Sequence, residues 1–498
     1  MSSSRWVWTL IVLLPLAAFA APSADGPALG INLFKVRPYG RELPFADLLQ
    51  ARGAWRSGGS SAPVSLDPEG WPLALAPGQW VETPLLTGFR GHLPKGELLA
   101  TWEGSGRLEW VGATVRSDGA SRARVALSPK AARHALRIVA TDPAAPIRRV
   151  QLKLEASGRF HSRFLERWRG VRVVRFMDWQ QTNGSRIRRW SERTLPEQAQ
   201  GTDRGVAVEW LIELANQLGA EPWFCIPHGA DDAYVEAFAR LAKAKLAPGS
   251  RPWIEYSNEV WNGQFEQARH ARAEGIRLRL APRERVAAQR FYARRSLEIF
   301  AIWARVFGGE KRIVRVLAGQ FGNEQGAREI LSWNDAAKRA DVYAIGAYFG
   351  GRASRRDGPA LATLDDPALA RVLRAEIEAS RSRLQATVEI ARSFGLPLVA
   401  YEGGQHLRGD PRVPGLTERL ISFNRSPEMR RLYQLHLAQW REAGGGLFVH
   451  FSSTSGYGKH GSWGALEWWD QPTSPKYEVL REWAGAAKSV SARPQNRP

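Results

Sequence analysis

Two glutamates stand where the chain is otherwise apolar. The stretch "RPWIEYSNEVWNGQ" (251–264) carries Glu259 at the end of an aromatic, apolar run with the composition of a buried strand, and "LVAYEGGQH" (398–406) carries Glu402 at the end of another. An ionisable carboxyl in such a setting is paired or working, because burying it without a partner is costly. Two carboxyls, one held protonated and one ionised, are what cleavage of a glycosidic bond uses. The first protonates the leaving oxygen and the second attacks the anomeric carbon. That chemistry requires a fold that brings residues 259 and 402 to one place.

Other chemistry-bearing patterns are weaker. A second Asn-Glu pair, Asn323-Glu324 in "AGQFGNEQGAREI", falls at an expected helix start, where an acid merely complements the helix dipole. "GYGKHG" (456–461) matches a dinucleotide-binding glycine pattern, but "SWGALEWWDQP" follows it where a helix would have to open, so it is expected to be a loop. The single cysteine, Cys225 in "PWFCIPH", reads as a buried, inert thiol and leaves no intramolecular disulfide. The nine histidines show no metal-ligand spacing, so neither a metal nor a cofactor is expected.

The elements that must position Glu259 and Glu402 follow from periodicity. Short β-rich runs near Val173, Phe224, Ile254, Val314, Tyr343, Val399 and Phe448, with an upstream one in "LGINLFKV" (29–36), alternate with amphipathic helical patterns. Val206, Trp210, Leu214 and Leu218 recur at helical spacing up to Gly219, and Asp231 and Asp232 open the next helix. Eight such strands predict an α/β fold, a (β/α)8 TIM barrel over residues 21–63 and 158–485, with chemistry at the C-terminal strand ends. Glu259 then ends the fourth strand and Glu402 the seventh, at one mouth. Strict alternation would point Asn258 and Glu259 to opposite faces, so both serve one site only if a bulge or strand end breaks the period.

Residues 64–157 lose helical periodicity and show alternating runs punctuated by Gly, Pro and Asp, which predicts an inserted all-β sandwich. A carbohydrate-binding module and a structural brace both fit it. The helical pattern "PFADLLQARGAW" ahead of the insertion places it toward the non-catalytic face of the barrel. The tail, 486–498, is expected to be unstructured.

The first twenty residues combine Arg5, an apolar run and a small-residue site near Ala20, the layout of a signal peptide; the mature chain is expected to be secreted or periplasmic. No other apolar run is long enough to span a membrane. The formal net charge of +21 would suit a polyanion. Export argues against nucleic acid and for an acidic or envelope-derived glycan, while an arginine-rich genome would account for the charge equally well. A monomer is expected.

Asn258-Glu259 at the end of strand four, with Glu402 at the end of strand seven, resembles the retaining glycoside hydrolases of clan A, the group that includes the family 5 cellulases and mannanases. The resemblance implies Glu259 as acid/base, Glu402 as nucleophile and Asn258 as the ligand of the sugar 2-hydroxyl. It also implies a sugar contact for His228, which ends strand three in "CIPHGADD". Tyr348, after strand six in "AIGAYFGG", is placed to hydrogen-bond Glu402. Arg175 and Asp178, near the end of strand two, are candidates for a supporting ion pair or for sugar ligands. The flat faces of Trp179, Trp261, Trp463 and Trp468 suit the C–H face of a pyranose, Trp463 foremost because it lies in the loop after strand eight. The expected activity is hydrolysis of β-glycosidic bonds within a polysaccharide by double displacement. A transglycosylase would use the same two carboxylates, and a barrel kept only for glycan binding or scaffolding is the remaining reading.

Overall fold

The computed structural model describes residues 28–89, 91–154 and 158–491, with side chains to residue 485; the expected signal peptide, 1–20, lies outside the described residues. Eight parallel strands close into a barrel in chain order: β1 (Leu29–Asn32), β2 (Val173–Arg175), β3 (Glu221–Ile226), β4 (Trp253–Tyr256), β5 (Val314–Gly319), β6 (Val342–Phe349), β7 (Leu398–Gln405) and β8 (Phe448–Phe451). The ring closes where Leu29 to Asn32 of β1 lie beside Phe448 to Phe451 of β8. Helices cover the outside and side chains fill the inside, so β5 and β7 are buried along their whole length. That two-sided burial is why these strands read as continuous apolar runs rather than alternating ones.

The helices form where the sequence marks them. Val208–Leu218 stops because Gly219 turns into the left-handed region, φ 64°. Asp232–Lys245 starts because the Asp231 carboxylate accepts a hydrogen bond from the Tyr234 amide at 2.7 Å.

Between β1 and β2 the chain builds two four-stranded antiparallel sheets. In spatial order these are Arg56–Gly58, Trp80–Leu85, His134–Thr141 and Gly106–Val111, then Ala113–Ser117, Arg122–Leu127, Leu98–Glu103 and Arg148–Lys153. They share an apolar core of their own, with Val81, Leu98, Val125, Ile138 and Leu152 at its centre. The first strand begins at Arg56, upstream of the boundary at 64 that periodicity suggested.

The expected barrel helix ahead of this insertion is absent. "PFADLLQARGAW" yields one 3-10 turn, Leu48–Ala51, whose Leu48 and Leu49 face the core of the insertion. The first barrel helix, Ser162–Trp168, comes after the insertion. The inserted sheets therefore grow from the C-terminal end of β1, on the side of the strand ends, and not toward the opposite face. They rest on loops of that same side. Trp468, in the loop after β8, lies between the Arg41 guanidinium at 3.8 Å and the His92 ring at 3.9 Å. Trp469 Nε1 donates to the His92 carbonyl at 2.6 Å, and in the loop after β2 the Gln200 amide donates to the Gln50 carbonyl at 2.8 Å.

The closing helix, Pro475–Ser491, runs into the segment expected to lack structure; residues 492–498 lie outside the described residues. Among the described residues no helix is long and apolar enough to cross a membrane.

Candidate active site

Two local breaks in strand geometry assemble the site. Strand β4 ends at Tyr256, and the backbone then enters the left-handed region at Ser257 (φ 59°) and Glu259 (φ 42°). An L-residue held there costs roughly 1–2 kcal/mol, so the surroundings must impose the conformation. The result is that Asn258 and Glu259, neighbours in sequence, both reach partners at the mouth. On the opposite side, the β6–β7 register slips: Ile345 faces Ala400 but Gly346 faces Glu402, leaving Tyr401 as the extra residue. Tyr401 and Glu402 thereby both point into the site, where alternation would have allowed only one.

Arg175 is the hub. Its fully buried guanidinium donates from Nη1 to Glu402 Oε2 at 3.2 Å and from Nη2 to Asn258 Oδ1 at 2.8 Å. Nη2 and Nε also reach Glu255 Oε2, at 2.8 and 3.1 Å, and Nη1 reaches Asn32 Oδ1 at 3.4 Å. One cation thus ties β1, the end of β4 and β7 together. Glu255 is held in addition by Trp223 Nε1 at 2.9 Å and by the Cys225 thiol at 3.4 Å. Burial pushes that thiol well above its ordinary range, leaving it protonated and unreactive.

The two carboxyls are held by different partners. Tyr348 donates its hydroxyl to Glu402 Oε1 at 2.9 Å, opposite the contact with Arg175. Glu259 accepts from the Tyr401 hydroxyl at 3.0 Å and from Asn262 Nδ2 at 2.9 Å. Burial pushes both glutamates above the usual carboxylate range, and the charge of Glu259 adds to the push on Glu402, against Arg175 and Tyr348, which pull it down. Two such acids that repel each other titrate as a pair, each disfavouring the ionised form of the other. Only Glu402 touches a guanidinium, whereas Glu259 touches neutral donors alone. Arg175 and Tyr348 thus favour the anion on Glu402, although burial and the charge of Glu259 push that carboxyl up to about 8. Burial and the adjoining carboxylates also push the Tyr348 and Tyr401 hydroxyls up, so both remain donors. Asn258 is oriented by giving Nδ2 to Asn183 at 3.0 Å, while Gln267 holds its backbone carbonyl at 2.7 Å.

The remaining candidates divide. Trp261 is half-buried and lines a cavity of about 660 Å³ that also contains Glu259, Tyr348, Tyr401 and His406. Trp463 packs at 5.8 Å from both His406 and Phe451, on the Tyr348 side of the site. His228 lies in a different cavity of about 980 Å³, its ring 5.3 Å from that of His270, and burial lowers it to about 4, so it is neutral. Arg175 does not pair with Asp178; its carboxylate partners are Glu255 and Glu402. Burial raises the Asp178 carboxyl to about 6, against the positive charges of Lys35, Arg175 and Arg37. Trp179 is no stacking platform: in the loop after β2, it is fully buried among Phe45, Phe164 and Phe176. Trp468 has its ring occupied by Arg41 and His92.

The decoys are structural. Asn323 caps the helix Glu324–Ser332 by accepting from the Gly326 amide at 3.0 Å, with Glu324 in its first turn. After "GYGKHG" the next helix opens only at Pro475. Among the described residues no group of three His, Cys, Asp or Glu side chains is placed to share a metal ion.

No protein-family model matches the sequence, and no curated protein matches it either. Solved structures that the chain resembles include a family 51 arabinofuranosidase from Xanthomonas axonopodis pv. citri, at 12% identity over 67% of this chain and 68% of that one, TM-score 0.42. A family 5 mannosidase from Rhizomucor miehei matches at 11% identity over 66% and 86%, TM-score 0.36. A broad-specificity family 5 endoglucanase from Clostridium longisporum matches at 10% identity over 66% and 84%, TM-score 0.37. These three are glycoside hydrolases, and each shares no more than 12% of its residues with this chain. Likeness at this level bears on no residue of the site.

Proposed function

We propose that the chain is a retaining glycoside hydrolase that cleaves β-glycosidic bonds of a polysaccharide. The observation that carries the reading is the asymmetric pair: two carboxyls, Glu259 just past the end of β4 and Glu402 inside β7 rather than at its expected end, the second against Arg175 and Tyr348 and the first against neutral donors only. In the first step Glu259 gives its proton to the glycosidic oxygen as Glu402 attacks the anomeric carbon, forming a glycosyl ester. In the second, Glu259, now ionised, takes a proton from water, and the water displaces Glu402. Arg175 loses part of its counter-charge as Glu402 is esterified, and Glu255 keeps it compensated. Asn258, pinned by Arg175 and Asn183, offers its remaining N–H to a sugar hydroxyl beside the reacting carbon.

Action within a polymer, rather than at its end, is supported by two open spaces at the site. The 660 Å³ cavity contains Glu259 itself, and the 980 Å³ cavity begins at Asn183, the partner of Asn258. The inserted sheets, which grip the loops after β2 and β8, are proposed to brace that rim. The N-terminal twenty residues are proposed to export the chain.

The test is a panel of polysaccharides with product analysis by NMR at early times. The reading predicts oligosaccharides whose new reducing ends keep the β configuration. Products that appear first as α anomers would overturn the double displacement, and transfer to a sugar in place of water would mark a transglycosylase.

A further inference from the structure

The cavity that contains Glu259 and the separate one that begins at Asn183 are each lined by several arginines. In the first, the loop and short helix after β6, Gly351–Arg356, present Arg352 and Arg355 to the open space, and Arg383 joins them across the cavity. Among the described residues neither the Arg352 nor the Arg355 side chain has a carboxylate partner, and Arg383 makes only a cation–π contact with Phe321, at 5.9 Å. The acids nearby are already engaged. Glu376 accepts from the backbone amides of Gly350, Arg352 and Ala353, and Asp357 pairs with Arg356. In the second cavity Arg186 and Arg188 are exposed, again without a carboxylate partner among the described residues.

Other arginines of the chain, by contrast, are tied to acids, while ones without a carboxylate partner among the described residues, such as Arg328 and Arg339, stand on the open surface outside the cleft. Arg290, Arg315 and Arg425, for example, each close on an acid of a neighbouring element at 2.6–2.9 Å. Guanidinium groups left open around a concave site are matched to planar or tetrahedral oxyanions, which they bind through paired N–H donors. The first group also stands close to the chemistry. Arg355 acts electrostatically on His406, whose ring is 5.0 Å from that of Tyr348, the hydrogen-bond donor to Glu402.

We propose that the cleft takes a polyanionic polysaccharide, its carboxylate or sulfate groups held by Arg352, Arg355 and Arg383 in the first cavity and by Arg186 and Arg188 in the second. The proposal rests on the glycosidase reading for its cleavage point. On this proposal the acid groups recur along the chain, so that one meets the arginines of the cavity that contains Glu259 while another meets those of the cavity that begins at Asn183. The rim then selects a repeating charged polymer over a neutral one.

The test uses the full-length E402Q variant, which keeps the shape of the site, in affinity electrophoresis with polygalacturonate, with dextran sulfate and with unmodified dextran. E402Q should be retarded by at least one of the two polyanions and not by dextran, and the retardation should fall as salt rises. Adding R352Q and R355Q should weaken polyanion binding at least tenfold. Adding R328Q and R339Q instead, which removes two exposed arginines outside the cleft, should change it less than twofold. Polygalacturonate alone would assign carboxylate and dextran sulfate alone sulfate. Equal retardation of all three variants would overturn the proposal, since the net charge of the surface would then suffice. The two readings fail separately. Hydrolysis of a neutral polymer with no arginine dependence sinks this one alone. Arginine-dependent polyanion binding with no hydrolysis of any polymer sinks the glycosidase.

Discussion

Replacing Tyr348 with phenylalanine tests how Glu402 is kept ionised. The substitution deletes one O–H donor, 2.9 Å from Glu402 Oε1, and leaves the ring in place against His406 and Phe451. A hydrogen bond to a charged group contributes about 1.5–3 kcal/mol, and this one acts on the carboxylate form alone. The sign follows directly. A donor to the carboxylate lowers its pKa, so losing the donor raises it, and the ionised fraction needed for attack appears only at higher pH. At a pH on the acid limb, where Glu402 is mostly protonated, kcat/KM should therefore fall about 10- to 100-fold. Above that limb, where Glu402 is ionised with or without Tyr348, the loss should be several times smaller. The assay is kcat/KM against pH for the best substrate of the panel, wild type and variant side by side. A variant profile that superimposes on the wild type, or a loss equal at every pH, would refute the role given to Tyr348.

Glu259→Ala should slow substrates with poor leaving groups by orders of magnitude while sparing the first step for activated aryl glycosides, and azide should restore the second step as a glycosyl azide product. Equal losses on both kinds of substrate would remove Glu259 as the proton donor. Arg175→Met should destabilise the fold by about 3–5 kcal/mol in denaturant unfolding, because Glu255 and Glu402 lose their buried counter-ion; a change below about 1 kcal/mol would contradict its place as hub. Glu42, half-buried beside Ser453 and Trp168, has its carboxyl pushed up to about 7 by loss of solvation, so the folded state binds its proton more tightly than the unfolded chain. That contribution to stability is present below about 4.5 and lost as pH rises through about 7. Glu42→Gln should accordingly raise Tm at pH 9 relative to wild type and give no gain at pH 4. The opposite order would show that Glu42 is stabilised as an anion.

What the sequence disclosed, and what it hid, has a physical pattern. The barrel was legible because each strand is an apolar run bounded by helix caps such as Asp231 and Gly219, and those signals are local. Glu259 and Glu402 were legible because charge at the end of such a run is conspicuous. Tyr401 was not, because alternation assigns it the face opposite Glu402, and only the slip of the β6–β7 register at Ile345 turns both inward. Glu255 was hidden for a similar reason: inside a strand it looks like an error in the pattern until Arg175, eighty residues earlier, supplies the counter-charge. Arg175 was identified, but its partner was sought nearby at Asp178 when it lies across the barrel. "PFADLLQARGAW" reads as a helix by composition, yet its leucines serve the inserted sheets, so the side on which the insertion sits was missed. Trp179 and Trp468 show the cost of abundance: in a chain with 21 tryptophans, type and approximate position do not separate a platform from packing.

The sharpest test of the central claim is to find where the sugar becomes attached. Inactivation with a 2-deoxy-2-fluoro glycoside bearing a good leaving group, followed by proteolysis and peptide mass analysis, reads the position of the covalent intermediate. The account predicts one added glycosyl unit on the peptide that carries Glu402. A label on Glu259, on any other residue, or the absence of a label while products emerge with inverted configuration would contradict it.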